Sequence, residues 1–201
     1  HGDGRLSWEA PSGDSPPDRY RYDPDNPVPS LGGNNCCGTP TPAGPMDQRP
    51  IEQRPDVLVY TSDFLTEPVE VTGPVKVLLH ATSDVPDTDF VAKLVDVFPD
   101  GRAINVAEGI VRARYRESLS APKPLEAGKV YQFTIDLVGT SNMFLRGHRI
   151  RLDITSSHFP QFDRNPNTGE PFGTGAKVRV ANQTVHHSRQ HPSHIELPAV
   201  P

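Results

Sequence analysis

From residue 56 onwards, apolar and polar residues alternate with a period of two over most of the chain. Val75, Val77 and Leu79, for example, share one face of a segment whose other face carries Lys76 and His80. A period of two is typical of a half-buried β-strand, and no helical pattern of useful length appears outside a short turn near residue 48. The pattern predicts strands at residues 56–61, 75–82, 90–97, 104–115, 131–138, 149–155, 177–184 and 194–197.

Turn residues separate these segments. Pro99-Asp100-Gly101 predicts a hairpin between two strands, and Gly109 predicts a bend within the long segment 104–115. With 16 Gly and 23 Pro among 201 residues, the composition also fits many short strands joined by turns. We therefore predict an all-β fold, a jelly-roll β-sandwich of the galactose-binding-domain-like kind, in which each strand buries its inner face against a second sheet.

The N-terminal part of the chain lacks this alternation and is rich in Pro and Gly. A short helical turn is expected at residues 48–53, with Asp47 as its cap. We predict that residues 1–55 form an irregular arm packed on a sandwich formed by residues 56–201, so that both parts make one domain.

The charge balance excludes some classes of partner. The net charge of −5 argues against nucleic acid, and Arg112, Arg114 and Arg116 are interpreted as the solvated face of a strand. No apolar stretch approaches the roughly 20 residues of a membrane span, and no signal peptide is evident. We expect a soluble protein, cytoplasmic or secreted. The adjacent Cys36 and Cys37 cannot cross-link distant parts of a fold, so the redox compartment stays undetermined.

The most informative segment is the polar run SSHFPQFDRNPNTG at residues 156–169, which follows the strand predicted at 149–155. Pro160 and Pro166 block regular structure there, and Gly169 suits a tight turn. From loop chemistry alone, an ordered loop packed by its two phenylalanines is the better interpretation.

This run resembles a characteristic loop of the C-terminal domain in the X-Pro dipeptidyl-peptidase, cocaine esterase and α-amino acid ester hydrolase family. Other segments are similar to that family in the same order, from about Leu6 to the end of the chain. The ordered set is far more specific than any one member. These segments are residues 22–29, 32–33, 47–49, 52–60, 71–75, 87–90, 93–97, 99–101, 112–116 and 147–152.

The resemblance implies a jelly-roll accessory domain, whose catalytic Ser, Asp and His belong to an α/β-hydrolase domain that precedes it in the same polypeptide. The chain itself has no Gly-x-Ser-x-Gly nucleophile elbow, so no catalytic residue is assigned and the chain alone is expected to be inactive. No cofactor is expected, and homo-oligomer formation is left open. The whole protein would be an X-Pro dipeptidyl-peptidase, an acylase or an esterase.

By the same resemblance, two loops carry candidate site residues. The loop after Gly32-Gly33 would form part of a substrate-pocket wall on the acyl side, and the loop at 156–169 would serve the domain interface. The pocket-wall candidates are Asn34, Asn35, Cys36 and Cys37. The loop or interface candidates are His158, Phe159, Phe162, Asp163, Arg164 and Asn165.

Two groups of side chains invite a metal-binding interpretation. They are His186, His187, His191 and His194, and the carboxylates Asp84, Asp87 and Asp89. Pro192 breaks the histidine stretch, and no Cys or carboxylate repeats a zinc-like spacing. The carboxylates lack the Gly and the later Glu of a calcium loop. We therefore assign no metal site, interpret the groups as surface histidines and a turn before a strand, and leave calcium open.

The alternative function is an independent carbohydrate- or ligand-binding module, because jelly rolls can bind sugars on exposed aromatic side chains. The candidate aromatics are Trp8, Tyr20, Tyr22, Phe159 and Phe162. An enzyme that works alone is a third hypothesis.

Overall fold

Nine strands and two short helical turns make up the regular structure of the described residues, which in the computed structural model are 4–35, 41–171, 173 and 177–200. The elements are β1 (Asp18–Tyr22), α1 (Arg49–Glu52), β2 (Leu58–Thr61), β3 (Val69–Ser83), β4 (Asp89–Val97), β5 (Ala103–Arg112), a 3₁₀ turn (Ala113–Tyr115), β6 (Tyr131–Phe144), β7 (Arg149–Thr155), β8 (Ala181–His186) and β9 (His194–Glu196). Within these described ranges, no helix has the length and apolar character needed to cross a bilayer.

The strands form two antiparallel sheets. The first has the order β1-β8-β3-β6, with β9 also paired to β3, and the second has the order β2-β7-β4-β5. β8 and β9 pair with successive stretches of β3, at residues 80–83 and 76–78. The prediction of an all-β sandwich is confirmed. The finer jelly-roll assignment stays a prediction, which this strand order favours.

The core lies between the two sheets. The inner face of β3 carries buried Val77 and Leu79, each 1% exposed. The rings of Phe90 on β4 and Phe133 on β6 meet across the sandwich with their centroids 4.7 Å apart. Such an aromatic pair stabilises the fold by about 0.5–1.5 kcal/mol beyond the burial of its area.

The outer face of the second sheet is covered as well. Every residue of β4 is buried, including Lys93, which is only 2% exposed. The chain before β2 provides the cover, since the backbone N–H of Gln48 donates to the carbonyl of Ala103 (2.7 Å) and its side-chain oxygen accepts from Lys93 Nζ (3.1 Å). Polar side chains on this face are therefore withdrawn from water.

Part of the N-terminal arm is regular, contrary to our expectation for residues 1–55. Asp18–Tyr22 forms β1, an edge strand of the first sheet that pairs with β8, and its alternate residues are buried. The short helix α1 lies within the predicted turn at 48–53, but Gln48 rather than Asp47 occupies its N-cap position. The division into arm and sandwich otherwise stays a prediction.

A β-bulge in β5 changes the direction of its side chains. The register with β4 shifts between Leu94 and Val95, which leaves Val106 as the extra residue. Asn105 and Glu108, three positions apart, would lie on opposite faces of a regular strand. Because of the bulge, both lie on the outer face of the sheet.

Gly109 is required for close packing rather than for a bend. A Cβ atom at this position would lie 2.0 Å from the carbonyl oxygen of Asp136 on β6. The bend expected at Gly109 therefore belongs to the bulge at Val106, and Gly109 lets two strands of opposite sheets approach each other.

Replacing Gly109 with Ala is expected to lower the free energy of unfolding by about 1–3 kcal/mol, because backbone must move to admit the methyl group. Urea denaturation followed by circular dichroism measures the loss. Gly13→Ala is the matched control, since a Cβ there meets nothing within 4 Å. Equal stability of the two variants would contradict the proposed close approach.

Candidate functional site

Asn165 fixes the 156–169 loop to the sandwich. It is 1% exposed, and its side-chain amide donates to Asp87 Oδ2 (2.9 Å) and Asp89 Oδ1 (2.8 Å). Its own Oδ1 accepts the backbone N–H of Asn167 at 2.9 Å. One side chain therefore shapes the loop and ties it to the start of β4.

Two arginines complete this anchor. Arg112 donates twice to the carboxylate of Asp89 (2.9 and 3.0 Å), and Arg114 Nε donates to Asp87 Oδ2 at 2.7 Å. Burial raises the pKa of Asp89, and the hydrogen bonds from Arg112 and Asn165 oppose this rise without cancelling it. The carboxylates thus serve as acceptors for the loop and its neighbouring arginines.

Our interpretation of the arginines as a solvated strand face is wrong. β5 ends at Arg112, and Arg114 lies in the following 3₁₀ turn. The side chains of Arg112 and Arg114 are only 21% and 13% exposed. Arg112 and Arg114 pair with buried carboxylates, and Arg116, which is also withdrawn from water, donates to the carbonyls of Ala113 and Lys123.

The exposed side of the 156–169 loop is held by ion pairs. Arg164 Nη1 donates to the carbonyl of Pro24 (2.6 Å) and to Asp25 Oδ1 (2.9 Å), while Asp163 accepts from Arg112 (3.2 Å). Phe159 remains 43% exposed. Together with Arg112 and Arg114, the loop lines a cavity of about 330 Å³.

The second predicted loop is closed at its base. Gly33 and Gly44 exchange two backbone hydrogen bonds of 2.8 and 2.9 Å. The side-chain amide of Asn35 donates to the carbonyl of Gly32 at 2.7 Å. We call this segment the 33–44 loop. Cys36 and Cys37, which were predicted to lie in the pocket wall, fall outside the described residues.

Glu108 brings the two loops together. Its Oε1 accepts the backbone N–H of Asn34 at 3.1 Å, and its Oε2 lies 3.2 Å from Nε2 of His158. The same Nε2 makes its hydrogen bond with Gln161 Oε1 at 2.8 Å, and Glu108 Oε2 has no hydrogen-bond partner among the described residues. Glu108 was not among the residues predicted from the sequence, although a charged residue inside an apolar strand is a usable signal.

Two members of the histidine group, His186 and His191, form a cluster with His80 on the outer face of the first sheet. The ring of His191 lies 5.7 Å from that of His80 and 5.5 Å from that of His186. Burial and the nearby His191 lower the pKa of His80 and of His186. His187 instead faces Asp18, at 3.1 Å. Across the part of the chain that the structure describes, no group of three or more ligands is arranged to hold a metal ion.

The aromatic residues proposed for a sugar-binding face do not share one surface. Tyr20 and Tyr22 are 5% and 0% exposed and belong to the core. Trp8, which is 68% exposed, lines a separate cavity of about 920 Å³ at the open edge between the sheets. The candidate aromatics named from the sequence therefore form no common platform for a sugar ligand.

Comparison with known proteins identifies the relatives of this chain. A family model described as the X-Pro dipeptidyl-peptidase C-terminal non-catalytic domain matches residues 1–196. The chain is 51% identical over 201 residues to the cocaine esterase of Rhodococcus sp. (strain MB1 Bresler), covering 99% of this chain and 35% of that protein.

Two solved structures share the fold and about a third of the sequence. An α-amino acid ester hydrolase superposes with a TM-score of 0.88 at 35% identity, covering 98% of this chain and 35% of that one. An aminopeptidase from the marine sediment archaeon Thaumarchaeota archaeon gives 0.91 at 34% identity, covering 100% and 36%. The chain thus spans about a third of each relative, and the resemblance drawn from the sequence is confirmed.

Proposed function

The chain belongs to the family of X-Pro dipeptidyl-peptidase C-terminal non-catalytic domains, and we propose that it serves a serine hydrolase that cleaves acyl esters. The proposed partner is an α/β-hydrolase domain in the same polypeptide, which would supply the Ser-His-Asp triad. The observation that carries the choice of reaction is the 51% identity to a cocaine esterase over the whole chain. The likeness to an α-amino acid ester hydrolase supports the same class of reaction.

In this proposal the 33–44 loop forms part of the acyl-side wall of the substrate pocket. Asn34, Asn35, Cys36 and Cys37 would line that wall. Its support is the closed base of the loop, where Gly33 and Gly44 exchange two backbone hydrogen bonds that hold the two ends of the loop together. A wall whose two ends are held together would orient a substrate and exclude water without taking part in bond making.

The 156–169 loop would meet the hydrolase domain. Phe159 and the ion pair between Arg164 and Asp25 are exposed, whereas His158 and Asn165 are buried within the domain. The loop would therefore offer an apolar ring and a polar rim to the partner, while its buried residues hold it in shape. This division of roles is typical of a domain interface.

The experiment is active-site labelling of the complete polypeptide that carries this chain. A fluorophosphonate probe is expected to label one serine outside these 201 residues, and the labelled protein is expected to lose hydrolysis of 4-nitrophenyl butyrate. The 201-residue chain alone is the control and should take up no label. Labelling of a serine within the chain, or preference for an X-Pro 4-nitroanilide over the ester, would overturn the proposal.

A further inference from the structure

Glu108 lies where three parts of the fold meet. It projects from the outer face of β5, is 5% exposed, and contacts both Asn34 in one loop and His158 in the other. We propose that Glu108 is the positioning residue of the 33–44 loop and that, through His158, it couples this loop to the 156–169 loop. The consequence for catalysis rests on the proposed function.

The turn at Gly33 is built around this carboxylate. Gly33 has φ +84°, and a Cβ atom there would lie 2.0 Å from Glu108 Oε1. The residue at position 33 must therefore lack a side chain for the carboxylate to reach the next backbone N–H, that of Asn34. A hydrogen bond from a backbone N–H to an ionised carboxylate is stronger than one between neutral groups, so it holds the turn firmly.

The surroundings of Glu108 favour its ionised form. Burial alone would raise its pKa, but the contacts with His158, with the Asn34 N–H and with Gln161 together lower it below the ordinary value. Glu108 is therefore a charged group fixed from three sides, as a positioning residue requires.

Asn105, which is close to Glu108 on β5, holds the chain where it leaves the 33–44 loop. Its Oδ1 accepts the backbone N–H of Met46 at 2.7 Å. The bulge at Val106 places Asn105 and Glu108 on one face, so β5 holds the chain on either side of the 33–44 loop. Because of this bulge, a single strand can hold both Asn34 and Met46.

The inference is tested in the complete polypeptide with the variants Glu108→Ala and Glu108→Gln. Hydrogen exchange followed by mass spectrometry reports on the N–H of Asn34, and steady-state hydrolysis of 4-nitrophenyl butyrate reports on the pocket. Glu108→Ala should reduce protection at Asn34 about tenfold and raise KM about tenfold, with kcat changed much less. Glu108→Gln keeps an acceptor oxygen and should restore most of the protection.

Asp96→Asn is the matched control. Asp96 is 6% exposed and pairs with His148 (2.8 Å), so it is another buried carboxylate–imidazole pair on the same sheet, but it lies on the opposite face of β4 from Lys93. Loss of the Asp96–His148 pair should lower the free energy of unfolding without changing the hydrogen-exchange protection of Asn34 or the KM. Unchanged protection in Glu108→Ala would overturn the inference. Lost protection with an unchanged KM would support the positioning role and refute the pocket-wall assignment in the proposed function.

Discussion

Replacing Asn165 with Asp is expected to lower the free energy of unfolding by about 3–5 kcal/mol. The change keeps the shape of the side chain but removes the amide that donates to Asp87 and Asp89. It also puts a third carboxylate beside two buried ones, and like charges in a buried site cannot all stay ionised. The 156–169 loop should therefore detach from the start of β4.

Asn182→Asp provides the control for this effect. The side-chain amide of Asn182 also donates to a carboxylate, Asp84 Oδ2 at 2.7 Å, but this pair is exposed. Its loss should cost less than about 1 kcal/mol. Urea denaturation at pH 7 and pH 4 measures both variants, and the deficit of Asn165→Asp should shrink at pH 4 as the new carboxyl group takes up a proton. Equal losses for the two variants would show that Asn165 is not an anchor.

The alternation of apolar residues was sufficient to predict the sandwich, because each sheet buries one face of its strands. It was insufficient for β1, although Asp18, Tyr20 and Tyr22 do alternate with two arginines. This strand is short and stands among prolines, and only its pairing with β8 reveals its role. The burial of both faces of β4 could not be predicted either, because the chain before β2, which covers the outer face, has no regular apolar pattern.

The candidate loops, with Asn165 among their residues, were recognised through their family resemblance, whereas the partners that hold these loops were not. Asn165 meets Asp87 and Asp89 across more than 70 positions of the sequence, and a single sequence carries no signal of such a pairing. Glu108 was missed for a second reason. The bulge at Val106 shifts the strand period, so that the face on which Glu108 lies cannot be counted from the residues before it.

The pH dependence of stability should contain a large contribution from Asp153. This residue is 2% exposed, and neither of its carboxylate oxygens has a hydrogen-bond partner among the described residues. Burial, followed by the charge of Glu52, raises the pKa of Asp153 to about 8, and Lys93 and Arg151 offset this only in part. Burial also lowers the pKa of Lys93, which lies opposite Asp153 in the sheet, so both members of the pair are driven towards their neutral forms.

The sign of the effect follows from the protons bound in each state. Between pH 4 and 8 the folded chain keeps a proton on Asp153 that the unfolded chain has released, so stability falls as the pH rises, by at most about 1.4 kcal/mol per pH unit. Asp153→Asn removes this contribution. The variant should therefore gain stability relative to the wild type throughout that window, and the gain should level off above pH 8.

Urea midpoints measured from pH 4 to pH 9 test this difference. Asp63→Asn, which changes a side chain that is 91% exposed, should give a curve parallel to that of the wild type. A parallel curve for Asp153→Asn would mean that Asp153 is ionised in the folded chain. Its charge would then have to be compensated by Lys93, and the layer beneath the N-terminal arm would hold a stable buried ion pair instead of two neutral groups.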